Sequence, residues 1–175
     1  MKTRRIFSIR EARAPDAHDL AKLHVRTWKE AYAELLPAGF FDDAHRRGRR
    51  DMWHRLLGED GPADAVIRVA VCDGAIIGFA MAGPPVPDPK GDAPPAIDRQ
   101  LYMLYVLQAH HGRGVGQRLL DDVAGTDAMV LWVAKENPRA IAFYQRNGFA
   151  FDGREKSDPG APAITDARMI RPARG

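Results

Sequence analysis

The stretch from Leu101 to Leu120 constrains this chain more than any other. A run of β-formers, Leu101-Tyr-Met-Leu-Tyr-Val106, leads through Leu107-Gln-Ala-His110 into His111-Gly112-Arg113-Gly114-Val115-Gly116. The glycines then open directly into Gln117-Arg118-Leu119-Leu120, the start of an apolar-periodic segment. That order predicts a strand, a tight turn and a helix N-terminus. The first N–H groups of a helix have no partner inside it and lie at the positive end of its dipole. Glycines let such a backbone approach a phosphate, so the segment has the make-up of a phosphate cradle. The competing reading is a turn kept tight for packing alone.

The two common phosphate fingerprints fail here. A P-loop needs Gly-Lys-Ser/Thr, whereas Gly116 is followed by Gln117 and Arg118. The dinucleotide pattern G-x-G-x-x-G needs glycine at Gln117 or at Leu119, and its turn usually opens a fold instead of lying two-thirds along the chain. A second block follows. Val130 to Ala134 has the pattern of a short buried strand. Asn137 is a good N-cap, Pro138 a good first helical residue, and Asn147-Gly148 a left-handed stop, so a helix of about ten residues lies between them.

Together these blocks resemble the GNAT superfamily of acyl-CoA-dependent N-acetyltransferases. The pyrophosphate signature Gln/Arg-x-x-Gly-x-Gly/Ala falls on His111 to Gly116, with His111 departing at the Gln/Arg position. The signature Asn-x-x-Ala-x-x-x-Tyr-x-x-x-Gly-Phe matches at Asn137, Ala140, Tyr144, Gly148 and Phe149. Weaker similarity runs through Ile9-Arg10, Asp16, Trp28 to Tyr32 and Leu36-Pro37.

The resemblance implies acetyl-CoA as co-substrate, held by Leu104, Val106, His111, Gly112, Arg113, Gly114, Val115, Gly116, Asn137 and Tyr144. It implies two catalytic positions. The Leu104 amide would meet the acetyl carbonyl, a task suited to a backbone N–H in a dry site, and Tyr144 would protonate the leaving thiolate. The bland alternatives are core strand for Leu104 and Val106, and a half-buried aromatic for Tyr144. Some members place a glutamate base where this chain has Gln100, which cannot serve. Asp98 is near in sequence. Glu30, Glu34, Asp42 and Asp43 fall where the family builds its acceptor pocket, and two or more of them pointing inward would favour a cationic amine.

Composition narrows the alternatives. A chain of 175 residues, 45% hydrophobic and 28% charged, reads as one globular domain over 1–175. Its single cysteine, Cys72, excludes an internal disulfide and reads as strand packing. No apolar run suits a membrane span, and Arg10 and Glu11 interrupt any signal segment, so a cytoplasmic protein without a membrane partner is expected. The cluster His45-Arg46-Arg47-Gly48-Arg49-Arg50 reads as a solvated helix face, and no nucleic-acid partner is expected. The six histidines show no metal spacing, so no metal is expected. A homodimer is one option for the assembly.

Strand patterns at 7–10, 65–71, 75–82, 101–106, 130–134, 149–152 and 167–170 alternate with helical ones at 16–33, 44–57, 114–123 and 138–147. Asp73-Gly74 signals a hairpin. Six prolines in thirteen residues make 84–96 a stiff loop. The expected fold is α/β (α+β), a mixed, mostly antiparallel sheet of about seven strands flanked by about four helices. Acetyl transfer to a small primary amine is the leading function. Transfer to protein N-termini or lysines is second. A non-catalytic acyl-CoA sensor is third, favoured by Gln100 and opposed by Tyr144.

Overall fold

The computed structural model describes residues 6–86, 97–158 and 160–174. Among them, in chain order, are β1 (Phe7–Glu11), α1 (Ala17–Tyr32), α2 (Asp43–Leu56), β2 (Val66–Cys72), β3 (Ala75–Gly83), β4 (Gln100–Val106), α3 (Val115–Ala124), β5 (Met129–Ala134), α4 (Pro138–Arg146), β6 (Ala150–Asp158) and β7 (Ala161–Arg171). The strands form one open, mixed sheet in the order β1-β2-β3-β4-β5-β7-β6. β4 and β5 run parallel, while β1–β2, β5–β7 and β6–β7 are antiparallel. This is the α/β architecture that the alternation of patterns predicts. None of the described helices is long and apolar enough to cross a membrane.

The chain clusters into two compact units. One holds β1, α1, α2, β2, most of β3, the second half of β4 and α3. Its β2–β3 hairpin turns on Asp73 and Gly74, with φ of 50° and 77°. Both central residues are left-handed, as a type I′ turn requires. On α1 the apolar stripe buries Leu20, Leu23, His24 and Thr27, and on α2 only Trp53 is fully buried. Arg10 ties β1 to the start of α1 through two hydrogen bonds to Asp16, at 2.7 and 2.9 Å. The Tyr105 ring lies 5.2 Å from His24 of α1, whereas the next residue, Val106, meets Leu119 of α3 over Gly78. Successive strand side chains point to opposite faces, so α1 and α3 cover opposite faces of this part of the sheet.

The other unit holds the end of β3, the first part of β4, β5, α4, β6 and β7. Met129, Leu131, Val133, Ile164, Ala167, Met169 and Phe149 form its core. Arg171 is 1% exposed there, and its guanidinium donates to the carbonyls of Gly125 and Asp127, which offsets the cost of burying the charge. β6 and β7 extend well beyond the expected 149–152 and 167–170. β6 is an edge strand with almost every side chain exposed, so its polar sequence carries no apolar alternation. The ladder to β7 imposes its conformation, with an irregularity between Phe151 and Glu155. Of the proline-rich loop, 87–96 lie outside the described residues. Its start is tied to β4: the Tyr102 hydroxyl donates to the Pro84 carbonyl, and Gln100 Oε1 accepts from Val86 N at 3.3 Å.

Candidate active site

The glycine loop joins β4 to α3 within the first unit. Gly112 and Gly114 have φ of 71° and 82°, a region that costs any residue with a β-carbon. A Cβ placed on either would meet nothing within 4 Å. Backbone conformation, not crowding, therefore demands glycine here, and the space above the loop is open to a ligand. The first helical bond runs from Arg118 N to Gly114 O. Among the described residues, nothing accepts from the N–H groups of Gly112, Arg113, Gly114, Val115 or Gly116. This is the unsatisfied, positively polarised backbone that a diphosphate would complete. Arg113 is exposed, while Val115 is 2% exposed, so Val115 offers its amide and keeps its side chain in the core.

The strand before the loop bonds to β3 on one edge. Leu107 N donates to Ile77 O of β3 at 2.9 Å, and the Tyr105 carbonyl faces Gly78 of β3. Strand alternation then turns the carbonyl of Val106, which lies between them, to the opposite edge. On that edge the ladder to β5 pairs Gln100 with Val130 and Leu101 with Leu131, and goes no further. Leu104 is half-buried. His111 folds back so that its Nε2 lies 2.8 Å from the Val106 carbonyl.

Asn137 and Tyr144 belong to the second unit. Asn137 caps α4, its side-chain oxygen accepting from Ala140 N at 3.0 Å, and Pro138 follows as the first helical residue. Tyr144 is 8% exposed, with its ring 5.4 Å from Phe143 and 5.7 Å from Phe149. Gly148, with φ of 84°, ends the helix as expected.

Of the four acids around the α1–α2 junction, Glu30, Asp42 and Asp43 have local partners. Asp42 is the N-cap of α2, accepting from His45 N at 2.8 Å. Asp43 pairs with Arg46 at 3.1 Å. Glu30 divides its oxygens between Arg26 at 3.1 Å and the Gln108 amide at 2.9 Å. Glu34 and Asp98 are exposed. Gln100, at the family's base position, instead holds the backbone of Val86.

What fills the junction is aromatic, and sequence reasoning missed its centre. His24 is 3% exposed, with the rings of Trp28, Trp53, Phe79 and Tyr105 at 5.2 to 6.4 Å. Burial, with Arg49 and His45 nearby, pushes its pKa down to about 3, so it is a neutral core residue. The available signal was its place on the apolar stripe of α1, between Leu20 and Thr27. Of the basic cluster, Arg46, Arg47 and Arg50 are exposed as expected, whereas Arg49 lies 5.5 Å over the Trp28 ring. A cleft of about 470 Å³ beside the loop is lined by Leu23, Ile76, Ile77 and Leu107, with Lys22 and Arg26 also on its wall. None of the expected contact residues lines it.

Residues 63–150 match the model of the acetyltransferase (GNAT) domain. The uncharacterized N-acetyltransferase YuaI of Bacillus subtilis is 30% identical over 146 residues, covering 80% of this chain and 78% of YuaI. The chain belongs to the GNAT acetyltransferase family. Among solved structures, the PaiA N-acetyltransferase of Thermoplasma acidophilum in complex with coenzyme A superposes with a TM-score of 0.68 at 20% identity, covering 95% of this chain and 99% of PaiA. The histone acetyltransferase HPA2 and related acetyltransferase of Corynebacterium glutamicum gives 0.68 at 22% identity, covering 97% of each chain. Those two likenesses show the fold alone.

Proposed function

We propose that this acetyltransferase moves the acetyl group of acetyl-CoA directly to a primary amine of a small molecule, with residues 1–175 acting as one catalytic domain. The observation that carries the reading is the run of N–H groups from Gly112 to Gly116 without a partner among the described residues. In this reading His111, Gly112, Arg113, Gly114, Val115 and Gly116 form the diphosphate loop, largely through their backbone, Val106 contacts the pantetheine arm, and Asn137 is a further contact beyond its capping role. The Leu104 N–H receives the charge that develops on the acetyl oxygen.

Tyr144 then protonates the departing thiolate. A phenol titrates near 10 and a thiol near 8.5, so full transfer is uphill by about 2 kcal/mol, which a polarised hydrogen bond offsets. With Gln100 at the family's base position, no side chain is assigned to deprotonate the amine. An amine of pKa near 10.4 costs about 4–5 kcal/mol to neutralise at pH 7. Activity is therefore expected to rise with pH through about 8–9.

The test is thiol release from acetyl-CoA with polyamines, amino acids, aminoglycosides and peptides as acceptors, each assayed from pH 6 to 9. The reading expects turnover with one class of small amine and a rate that climbs with pH. Turnover restricted to peptides would transfer the assignment to protein N-termini or lysines. Tight CoA binding with no turnover would assign a sensor. A rate flat across the pH range would require an unrecognised base.

A further inference from the structure

The turn between β4 and the phosphate loop is held at both ends by side-chain hydrogen bonds. The turn itself is a single 3₁₀ segment, Gln108–His110, closed by His110 N to Leu107 O at 2.9 Å and His111 N to Gln108 O at 3.1 Å. Such turns have poor hydrogen-bond geometry and little stability of their own. At the entry, Oε2 of Glu30 accepts from the Gln108 amide at 2.9 Å, across 78 residues of sequence. At the exit, His111 Nε2 meets the Val106 carbonyl at 2.8 Å. A carbonyl can only accept, so Nε2 carries a proton and donates it. The other ring nitrogen, Nδ1, is buried without a partner. The Val106 bond is then the ring's polar anchor.

We propose that Glu30 and His111 are positioning residues for the phosphate loop, pinning the Val106–His111 turn so that the N–H groups of Gly112 to Gly116 are already aimed before CoA arrives. This rests on the reading of the loop as the CoA diphosphate site. The physical reason is entropic: a loop ordered in advance does not lose that freedom on binding. The pinning also accounts for the departure at His111. A glutamine, which the family signature places there, carries an amide N–H at the same number of bonds from Cβ as His Nε2, so it can make the same bond to the Val106 carbonyl.

The experiment compares four variants by CoA titration and steady-state kinetics. His111→Phe keeps a ring but loses the donor, and Glu30→Leu loses the acceptor. Each is expected to weaken CoA binding and raise KM for acetyl-CoA about three- to tenfold, the range for one hydrogen bond, with kcat and KM for the amine little changed. His111→Gln and Glu30→Gln keep the donor and the acceptor and are expected to restore binding. Glu30→Gln loses only the exposed Arg26 pair, which contributes little. Unchanged CoA affinity in His111→Phe and Glu30→Leu overturns the proposal. So does equal weakening in the glutamine variants, or a loss of kcat in step with a lower melting temperature. If the unaltered protein does not bind CoA at all, the reading of the site fails instead. Hydrogen exchange at the Gln108 amide, measured without ligand, then still reports on the pin: faster exchange in Glu30→Leu supports it, and no change removes it.

Discussion

The β4–α3 loop and the α1–α2 junction lie in the same unit and are built from different materials. The loop is made of backbone: two left-handed glycines, a row of unpartnered N–H groups and a helix start. The junction is made of side chains: His24 among four aromatic rings, Asp42 as a cap, and Asp43 and Glu30 in local pairs. A backbone site is written in the spacing of a few residue types, because the conformation itself requires them. A side-chain site depends on which partners tertiary packing brings near each group. Spacing therefore leads to a good expectation for the loop's backbone conformation, whereas the partners of the acids follow from tertiary packing.

The sharpest attempt to break this comparison is Tyr144→Phe. Tyr144 is a side-chain assignment made from a motif, and its loss as the acid is expected to lower kcat by roughly 10²–10⁴ with CoA affinity nearly unchanged. Full activity would mean that solvent protonates the thiolate and that Tyr144 is packing. Next is Gly114→Val. At φ of 82° a β-branched residue is strained and its side chain would occupy the open space above the loop. The thermal stabilisation by CoA, about 2.7 kcal/mol at a hundredfold over the dissociation constant, is expected to vanish while the apo protein stays folded.

At the junction the effects are on stability. His24 has a folded pKa of about 3, below its unfolded value of 6.5. The unfolded chain therefore takes up a proton that the folded state refuses as pH falls from about 6.5 to 3. Stability is present in full above that window and is lost on acidification, by up to about 1.4 kcal/mol per pH unit. His24→Phe is expected to flatten that slope in denaturant melts, and an unchanged slope would show that other groups cause the acid loss. Smallest is Asp42→Ala, which removes an N-cap at a cost of about 1 kcal/mol. It is expected to leave KM for the amine unaltered, and a large rise in KM would return Asp42 to the acceptor pocket.

Seen through particular residues, much of the fold was legible. The period of α1, the Asp73-Gly74 hairpin and the Asn137 and Gly148 helix ends all express local rules that the structure obeys. β6 was only half legible because an edge strand has no buried face to impress a pattern on its sequence. His24 was passed over because a titratable residue on an apolar stripe looks the same whether it is core or ligand. The engagement of Gln100 with Val86, and of Glu30 with Gln108, joins positions 14 and 78 residues apart that no local pattern connects.

The central claim is that a backbone cradle at Gly112 to Gly116 receives the diphosphate of CoA. Calorimetric titration of the unaltered protein and of Gly114→Val with CoA, ATP and NAD tests it most directly. The account predicts saturable binding of CoA to the unaltered protein, much weaker binding of ATP and NAD, and no measurable CoA binding to the variant. Equal CoA affinity in both proteins, or a preference for ATP or NAD, would contradict it.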